Sequence, residues 1–201
     1  MDRDDLVRSL RSRVRDERVL AAIASLPREV FVEPELSAVA YADCPLPIGA
    51  GQTISQPAVV AGMCEALELQ PSDRVLDVGT GSGYHAAVMS RLCAHVHGIE
   101  LEARLAERAT LALARAGIEN VTVAVGDGQL GLPDEAPFDA INVAATAREA
   151  VPAALEQQLA VGGRLIAPVA LHGEEHLVLV RRTPDGLERT RLAAVRFVPL
   201  R

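Results

Sequence analysis

Apolar residues recur at helical intervals through Leu6, Leu10, Val14, Val19, Leu20 and Ile23, set in a charged background. The spacing puts them on one face and predicts one or two amphipathic helices that end before Pro27. From Phe31 to Gly51 the pattern becomes irregular and rich in Pro and Gly. Helical spacing returns from about Gln56 to Leu69 and stops at Gln70-Pro71, because the residue before a proline is pushed out of the helical region. The break divides the chain into an expected N-terminal helical subdomain with a polar loop, residues 1–70, and a second segment, residues 71–201, the two forming one structural unit.

Beyond the break, short apolar runs alternate with helical patterns. Strands are expected at Arg74 to Val78, His95 to Ile99, Val121 to Val125, Ala140 to Val143 and Arg164 to Pro168. Helices are expected near Tyr84 to Cys93, Leu101 to Ala116 and Ala150 to Leu159. Such alternation calls for a mostly parallel sheet covered by helices on both faces. The end differs: Glu175 to Arg182 and Glu188 to Val198 read as strands joined by Thr183-Pro184-Asp185-Gly186, which predicts an antiparallel hairpin closing the sheet.

The first strand runs into the chain's most telling stretch, Val75-Leu76-Asp77-Val78-Gly79-Thr80-Gly81-Ser82-Gly83-Tyr84. Glycines at Gly79, Gly81 and Gly83 let the backbone turn sharply and approach a ligand closely. A tight strand-to-helix turn with no ligand is the alternative. The third glycine falls one position short of the dinucleotide spacing G-x-G-x-x-G, and Asp77 repels a phosphate but suits a cationic amine. The loop therefore reads as an S-adenosylmethionine site in preference to an NAD site. Glu100, ending the second strand, is placed to accept from ribose hydroxyls, and Asp127 in Gly126-Asp127-Gly128 from an adenine amine. Three acids would then sit at the carboxyl ends of consecutive strands, where open α/β sheets bind ligands.

A second stretch, Gly51-Gln52-Thr53-Ile54-Ser55-Gln56-Pro57, lies just before a helix. Locally, capping is the better reading of both hydroxyls: Ser55 as the N-cap and Thr53 with Gln56 at capping-box spacing. The same helix start can offer N–H groups and a hydroxyl to a carboxylate. His172-Gly173-Glu174-Glu175-His176 matches the H-x-x-E-H of zinc proteases, but Gly173 and the neighbouring strand pattern place it on a loop entering a strand, with no third ligand, and no metal is expected. His85, His95 and His97 read as helix-start and strand-packing residues.

Composition narrows the function. With 201 residues, 49% of them hydrophobic, one domain can bury a continuous core; aromatics at 2% and a formal charge of −7 argue against a nucleic-acid surface. Cys44, Cys64 and Cys93 are an odd number without paired spacing, as expected of free thiols in a reducing cytoplasm. Neither a signal peptide nor a run of membrane length is present, so a cytoplasmic protein without membrane contact is expected.

Taken together, the chain resembles the protein-L-isoaspartate (D-aspartate) O-methyltransferases along nearly its whole length. The resemblance is carried by Pro27-Arg28-Glu29-Val30-Phe31-Val32, by Ala40-Tyr41-Ala42-Asp43 with Pro45-Leu46-Pro47-Ile48-Gly49, and most specifically by Gly51 to Pro57. It continues through the glycine loop, Gly126-Asp127-Gly128, Ala136 to Ile141 and Val195 to Leu200. It implies a Rossmann-like methyltransferase fold with a small N-terminal helical subdomain. Ser55 would be the active-site hydroxyl, Thr53 and Ile54 would line the site, and Asp77, Glu100, Asp127 and Gly128 would contact the cofactor together with the glycine loop. The implied reaction moves a methyl group from S-adenosylmethionine, leaving S-adenosylhomocysteine, to the α-carboxylate of L-isoaspartyl, and in some members D-aspartyl, residues of damaged proteins and peptides. The ester collapses to a succinimide that hydrolyses partly to normal aspartate. Such an enzyme is expected to work as a monomer.

Two departures stand out. Asn142-Val143-Ala144-Ala145-Thr146-Ala147-Arg148 replaces the family's small-residue run ending in proline and is one residue longer, and the chain stops at Arg201 where many members continue with a polar tail. A carboxyl methyltransferase dedicated to one peptide or natural product is the nearest alternative, with a non-catalytic cofactor-binding module further off. An adenine methyltransferase lacks its Pro-Pro-aromatic run after Asn142, and a dehydrogenase is disfavoured by the glycine spacing.

Overall fold

Acidic side chains start the first two helices in the computed structural model, which describes residues 1–201. Asp2 accepts from the Asp5 amide ahead of α1 (Arg3–Leu10), and Asp16 accepts from the Arg18 amide ahead of α2 (Glu17–Ala24). Each cap satisfies an amide that the helix itself leaves open. The irregular segment that follows holds more order than its pattern predicts: two short 3-10 turns, then an antiparallel hairpin of β1 (Leu46–Gly49) and β2 (Gln52–Ile54). Its turn runs through left-handed residues at Gly49, Ala50 and Gly51, and Leu46, Ile48 and Ile54 point into the core.

The next helix, α3 (Pro57–Leu67), corrects the capping expectation. Its N-cap is Gln56, with Pro57 in the first turn, and no side chain of the adjoining segment caps it. The cap comes from a distance: Asp43 Oδ1 accepts from the Ala58 amide at 2.9 Å, and Asp43 Oδ2 accepts from Gln56 Nε2 at 3.1 Å. Ser55 and Thr53 lie outside the helix, their hydroxyls not spent on it.

From Arg74 the chain builds the sheet: β3 (Arg74–Val78), α4 (Tyr84–Ser90), β4 (His95–Glu100), α5 (Ala103–Arg115), β5 (Val121–Val125), β6 (Phe138–Val143), β7 (Ala147–Arg148), α6 (Ala153–Gln157), β8 (Leu159–Leu171), β9 (Glu174–Thr183) and β10 (Gly186–Ala194). Strand order is β10-β9-β8-β6-β3-β4-β5, with β7 beside β8; neighbours from β5 through β4, β3 and β6 to β8 are parallel, as is β7 to β8, and β8, β9 and β10 are antiparallel. The predicted strands all form, and the turn at Thr183 to Gly186 joins β9 to β10. Bounds differ where tertiary pairing decides them. β8 is longer than expected because β6, β7 and β9 all offer it partners; α6 is shorter; and β10 ends at Ala194 after a register break beyond Arg191.

Alternation along β3 sorts side chains between two cores. Val75 joins Leu6, Leu20, Met63, Tyr84 and Leu113 on the face covered by α1 to α5, whereas Leu76 and Val78 join Ile141 and Leu155 on the α6 face. Asp77 shares the face of Val75 by this alternation, and Asn142, its neighbour on β6, shares that of Ala140.

Candidate active site

The strand order reverses between β3 and β6, and the chain opens a crevice at their carboxyl ends, the position where open α/β sheets bind ligands. A narrow cleft lies there, with Thr53, Gly79, Glu100, Gly128 and Ala144 among its walls. Val198 to Arg201 close its other side, held by Thr146: its amide donates to Val198 O at 2.8 Å, and Leu200 N donates to Thr146 O at 2.9 Å. A smaller cavity adjoins the cleft and shares Thr53, Gly79 and Ala144 with it; Ile54, Ser55, Thr80 and His85 complete much of its wall.

The glycine loop crosses this crevice with Gly79, Gly81 and Gly83 in left-handed conformations, φ 77°, 55° and 87°. Gly83 does not face the cleft. A Cβ there would come within 3.3 Å of Ala109 and Leu113, so its small size lets α4 start close against α5. Gly98 on β4 does a related job that the sequence did not signal: a Cβ would lie 2.6 Å from Thr80 Oγ1, so only glycine lets the loop settle over β4. Glu100 is 7% exposed, and its carboxylate accepts from the Gly81 amide at 2.8 Å and the Glu102 amide at 3.0 Å. It therefore braces the loop while lining the cleft. Asp127 does not line the cleft; its Oδ1 accepts from the Gln129 amide at 2.8 Å, and Gly128 is the member of that turn which does.

Asp77 is sealed beneath the loop, with burial pushing its carboxyl up to about 6 against the opposing pull of a bond from Asn142. Asn142 Nδ2 donates to Asp77 Oδ1 at 2.7 Å, and Asp77 Oδ2 has no protein partner. A buried carboxylate oxygen left open beside a ligand cleft suits an ammonium. Ser55 is held from behind by Arg28, fully buried, whose Nη2 donates to Ser55 O at 3.0 Å and whose Nε donates to Ala40 O at 2.8 Å. The guanidinium lies 4.4 Å from the Tyr84 ring centroid. One side chain thus ties the Ser55 segment, the Tyr41 loop and the start of α4 together. Arg28 was legible as part of a motif but not as a brace, and Val198 to Arg201 carried no local sign of lining the cleft. His172 and His176 lie in the β8–β9 turn and on β9, away from this crevice, as the strand reading predicts.

A mostly parallel sheet with a glycine loop after its first long strand, acids at the ends of β3 and β4 and a cleft at the reversal defines a Rossmann-like S-adenosylmethionine-dependent methyltransferase. The residues fit that molecule: an open carboxylate oxygen for an ammonium, a carboxylate in the cleft wall for hydroxyls, and glycines where a flat base must pass. Over residues 1–201 the chain matches the family model described as Protein-L-isoaspartate(D-aspartate) O-methyltransferase (PCMT), and it belongs to that family. A protein-L-isoaspartate O-methyltransferase of Roseiflexus sp. (strain RS-1) is 54% identical over 187 residues, 93% of this chain and 85% of the relative. That of Methanoculleus marisnigri is 49% identical over 201 residues, 99% and 91% of the two chains. Among solved structures, a protein-L-isoaspartate O-methyltransferase superposes with a TM-score of 0.88 at 32% identity, covering 98% of this chain and 65% of that longer one. A Plasmodium falciparum structure described as a complex with S-adenosyl-L-homocysteine gives 0.87 at 26% identity, covering 100% and 99%.

Proposed function

We propose that the chain transfers the methyl group of S-adenosylmethionine to the α-carboxylate of L-isoaspartyl residues in damaged proteins and peptides, the first step of their repair. The observation that carries this reading is the shared wall of Thr53, Gly79 and Ala144, which joins the cleft to the cavity holding Ser55. Two ligands entering from opposite sides would meet there.

When bound, S-adenosylmethionine supplies a methyl group on a positively charged sulfur. The attacking carboxylate is ionised near neutral pH, so the protein has no proton to remove and its work is alignment. In this reading Ser55 orients the substrate carboxylate, with Thr53 and Ile54 shaping the wall around it. Asp77 takes the ammonium, Glu100 the ribose hydroxyls, and Gly128 the adenine edge, with Asp127, set back from the cleft wall on the same turn, offering its carboxylate to the adenine amine. Gly79 and Gly81 keep the loop low enough for the ligand to lie across it, and Gly83 supports the loop from behind by letting α4 start close against α5. Opposite charges neutralise during transfer, so a site that excludes water favours the reaction.

We place the division between the substrate-side segment and the cofactor-side segment at residue 70. The active form is proposed to be a monomer in a reducing compartment: large exposed apolar side chains such as Val39, Leu111, Val125 and Val161 belong to different elements, and Cys64 and Cys93 are buried and unpaired. No helix is long and apolar enough to cross a membrane. Methyl transfer to matched isoaspartyl and aspartyl peptides is the test. Transfer to the isoaspartyl peptide alone is expected; equal transfer to both, or to neither, would refute the substrate assignment.

A further inference from the structure

Besides Arg28 Nη1, three side-chain atoms are sealed from water and make no bond within the protein: Asp77 Oδ2, Asn142 Oδ1 and His85 Nε2, the last on a residue that lines the Ser55 cavity. They belong to one connected group. Asn142 Nδ2 donates to Asp77 Oδ1 at 2.7 Å and lies 3.2 Å from His85 Nδ1. An ionised carboxylate can only accept, so the amide nitrogen must face Asp77, and its second hydrogen is free to go to His85 Nδ1. Turning the amide over would set Oδ1 against the carboxylate. Nδ1 therefore holds the lone pair and Nε2 the proton. Burial pushes the His85 pKa down to about 3, so the ring is neutral at physiological pH.

His85 lines the small cavity beside Thr53, Ser55, Gly79, Ser82 and Ala144, and Nε2 is the ring nitrogen without a partner. Buried donors in folded proteins are almost always paired, and one that is not calls for an explanation. Here the explanation is a ligand. We propose that His85 Nε2–H hydrogen-bonds a carboxylate oxygen bound in this cavity, with Asn142 as the positioning residue that sets the tautomer. The inference rests on the methyl-transfer reading, which brings two carboxylates to this place: that of the isoaspartyl substrate and that of the methionyl end of S-adenosylmethionine.

The test combines ring nitrogen-15 spectra of the wild-type protein with calorimetry and kinetics of His85→Leu and His85→Gln. The free protein should show the Nε2–H tautomer, and the Nε2 signal should move on adding S-adenosylhomocysteine or an isoaspartyl peptide. His85→Leu should weaken one of these by about ten- to hundredfold, the worth of a hydrogen bond to a charged group. 5′-Methylthioadenosine, which lacks the amino-acid end, should bind it as it binds wild type. Gln, which keeps an N–H, should recover most of the loss. Lost affinity for S-adenosylhomocysteine assigns the methionyl carboxylate; a raised peptide KM with that affinity kept assigns the substrate carboxylate. An Nδ1–H tautomer, a signal indifferent to both ligands, unchanged binding of both by folded His85→Leu, or an equal loss for 5′-methylthioadenosine would overturn the proposal. Should His85→Leu not fold, the wild-type spectra decide. Transfer by the wild-type protein to the isoaspartyl peptide is measured alongside; its failure, with the ring signal still responding to S-adenosylhomocysteine, would defeat the substrate reading and leave the donor in place.

Discussion

Ser55 is the residue at which local and tertiary readings part. Its neighbours spell a helix start, yet the helix is capped by Asp43, and the serine's backbone is held by Arg28. Ser55→Ala should therefore cost less than about 0.5 kcal/mol of stability, as surface-like substitutions do, while slowing methyl transfer on the order of a hundredfold through misplacement of the carboxylate. Denaturant unfolding and single-turnover transfer check the two halves; a wild-type rate in the folded variant removes Ser55 from the chemistry. Asp77 carries the clearest pH signature. Its folded pKa, about 6, lies above the ordinary carboxyl value, so the protonated form is the one folding favours. That contribution, about 2–3 kcal/mol from the shift, is fully present below about pH 4 and is lost as pH rises through about 6. Asp77→Asn has no charge to bury. Its melting temperature relative to wild type should be higher at about pH 8 than at about pH 4, with weaker S-adenosylmethionine binding; an offset independent of pH would contradict the burial argument. Asp77 itself was legible from its place before the glycines. Asn142 was visible only as a departure, because nothing local says that it lies beside Asp77 on the next strand.

Helix α3 shows how one element can depend on a side chain from elsewhere. Asp43 accepts from Ala58 N and Gln56 Nε2 and pairs with Arg13 at 3.3 Å, so the first turn of α3 and the segment bearing Ser55 are fixed from the loop before β1. Asp43→Ala should cost about 0.5–2 kcal/mol, the usual worth of a cap, and Asp43→Asn, which keeps an acceptor, should recover most of it. Urea unfolding of the pair reads this directly; equal stability of Ala and wild type would mean that the cap contributes nothing. The sequence placed α3 within two residues at each end because Pro57 and the Gln70-Pro71 break act locally. It missed the β1–β2 hairpin because a strand of four residues and one of three leave too little alternation to see.

At the scale of the molecule, Arg164 on β8 joins the sheet to the end of α3. It donates to Leu67 O, Glu68 O and Asp139 O and pairs with Asp73 in near-complete burial. Arg164→Met would leave Asp73 charged without its partner and several carbonyls unpaired, and should cost about 3–5 kcal/mol. Thermal and denaturant unfolding check it; a loss under about 1 kcal/mol would show that water replaces the guanidinium. The chain's own order of residues determined the alternating strands and helices, the antiparallel close at Thr183 to Gly186 and the two motifs to which we assign the chemistry, because periodicity, turn residues and glycine spacing act over a few positions. Only the tertiary structure decided that Thr53, Gly79 and Ala144 share one wall, that Arg28 stands behind Ser55, and that His85, Asn142 and Asp77 form a connected buried group. Those residues are 57 and 65 positions apart from Asn142 in sequence, and what brings them together is strand pairing in a sheet whose order differs from the order of the chain.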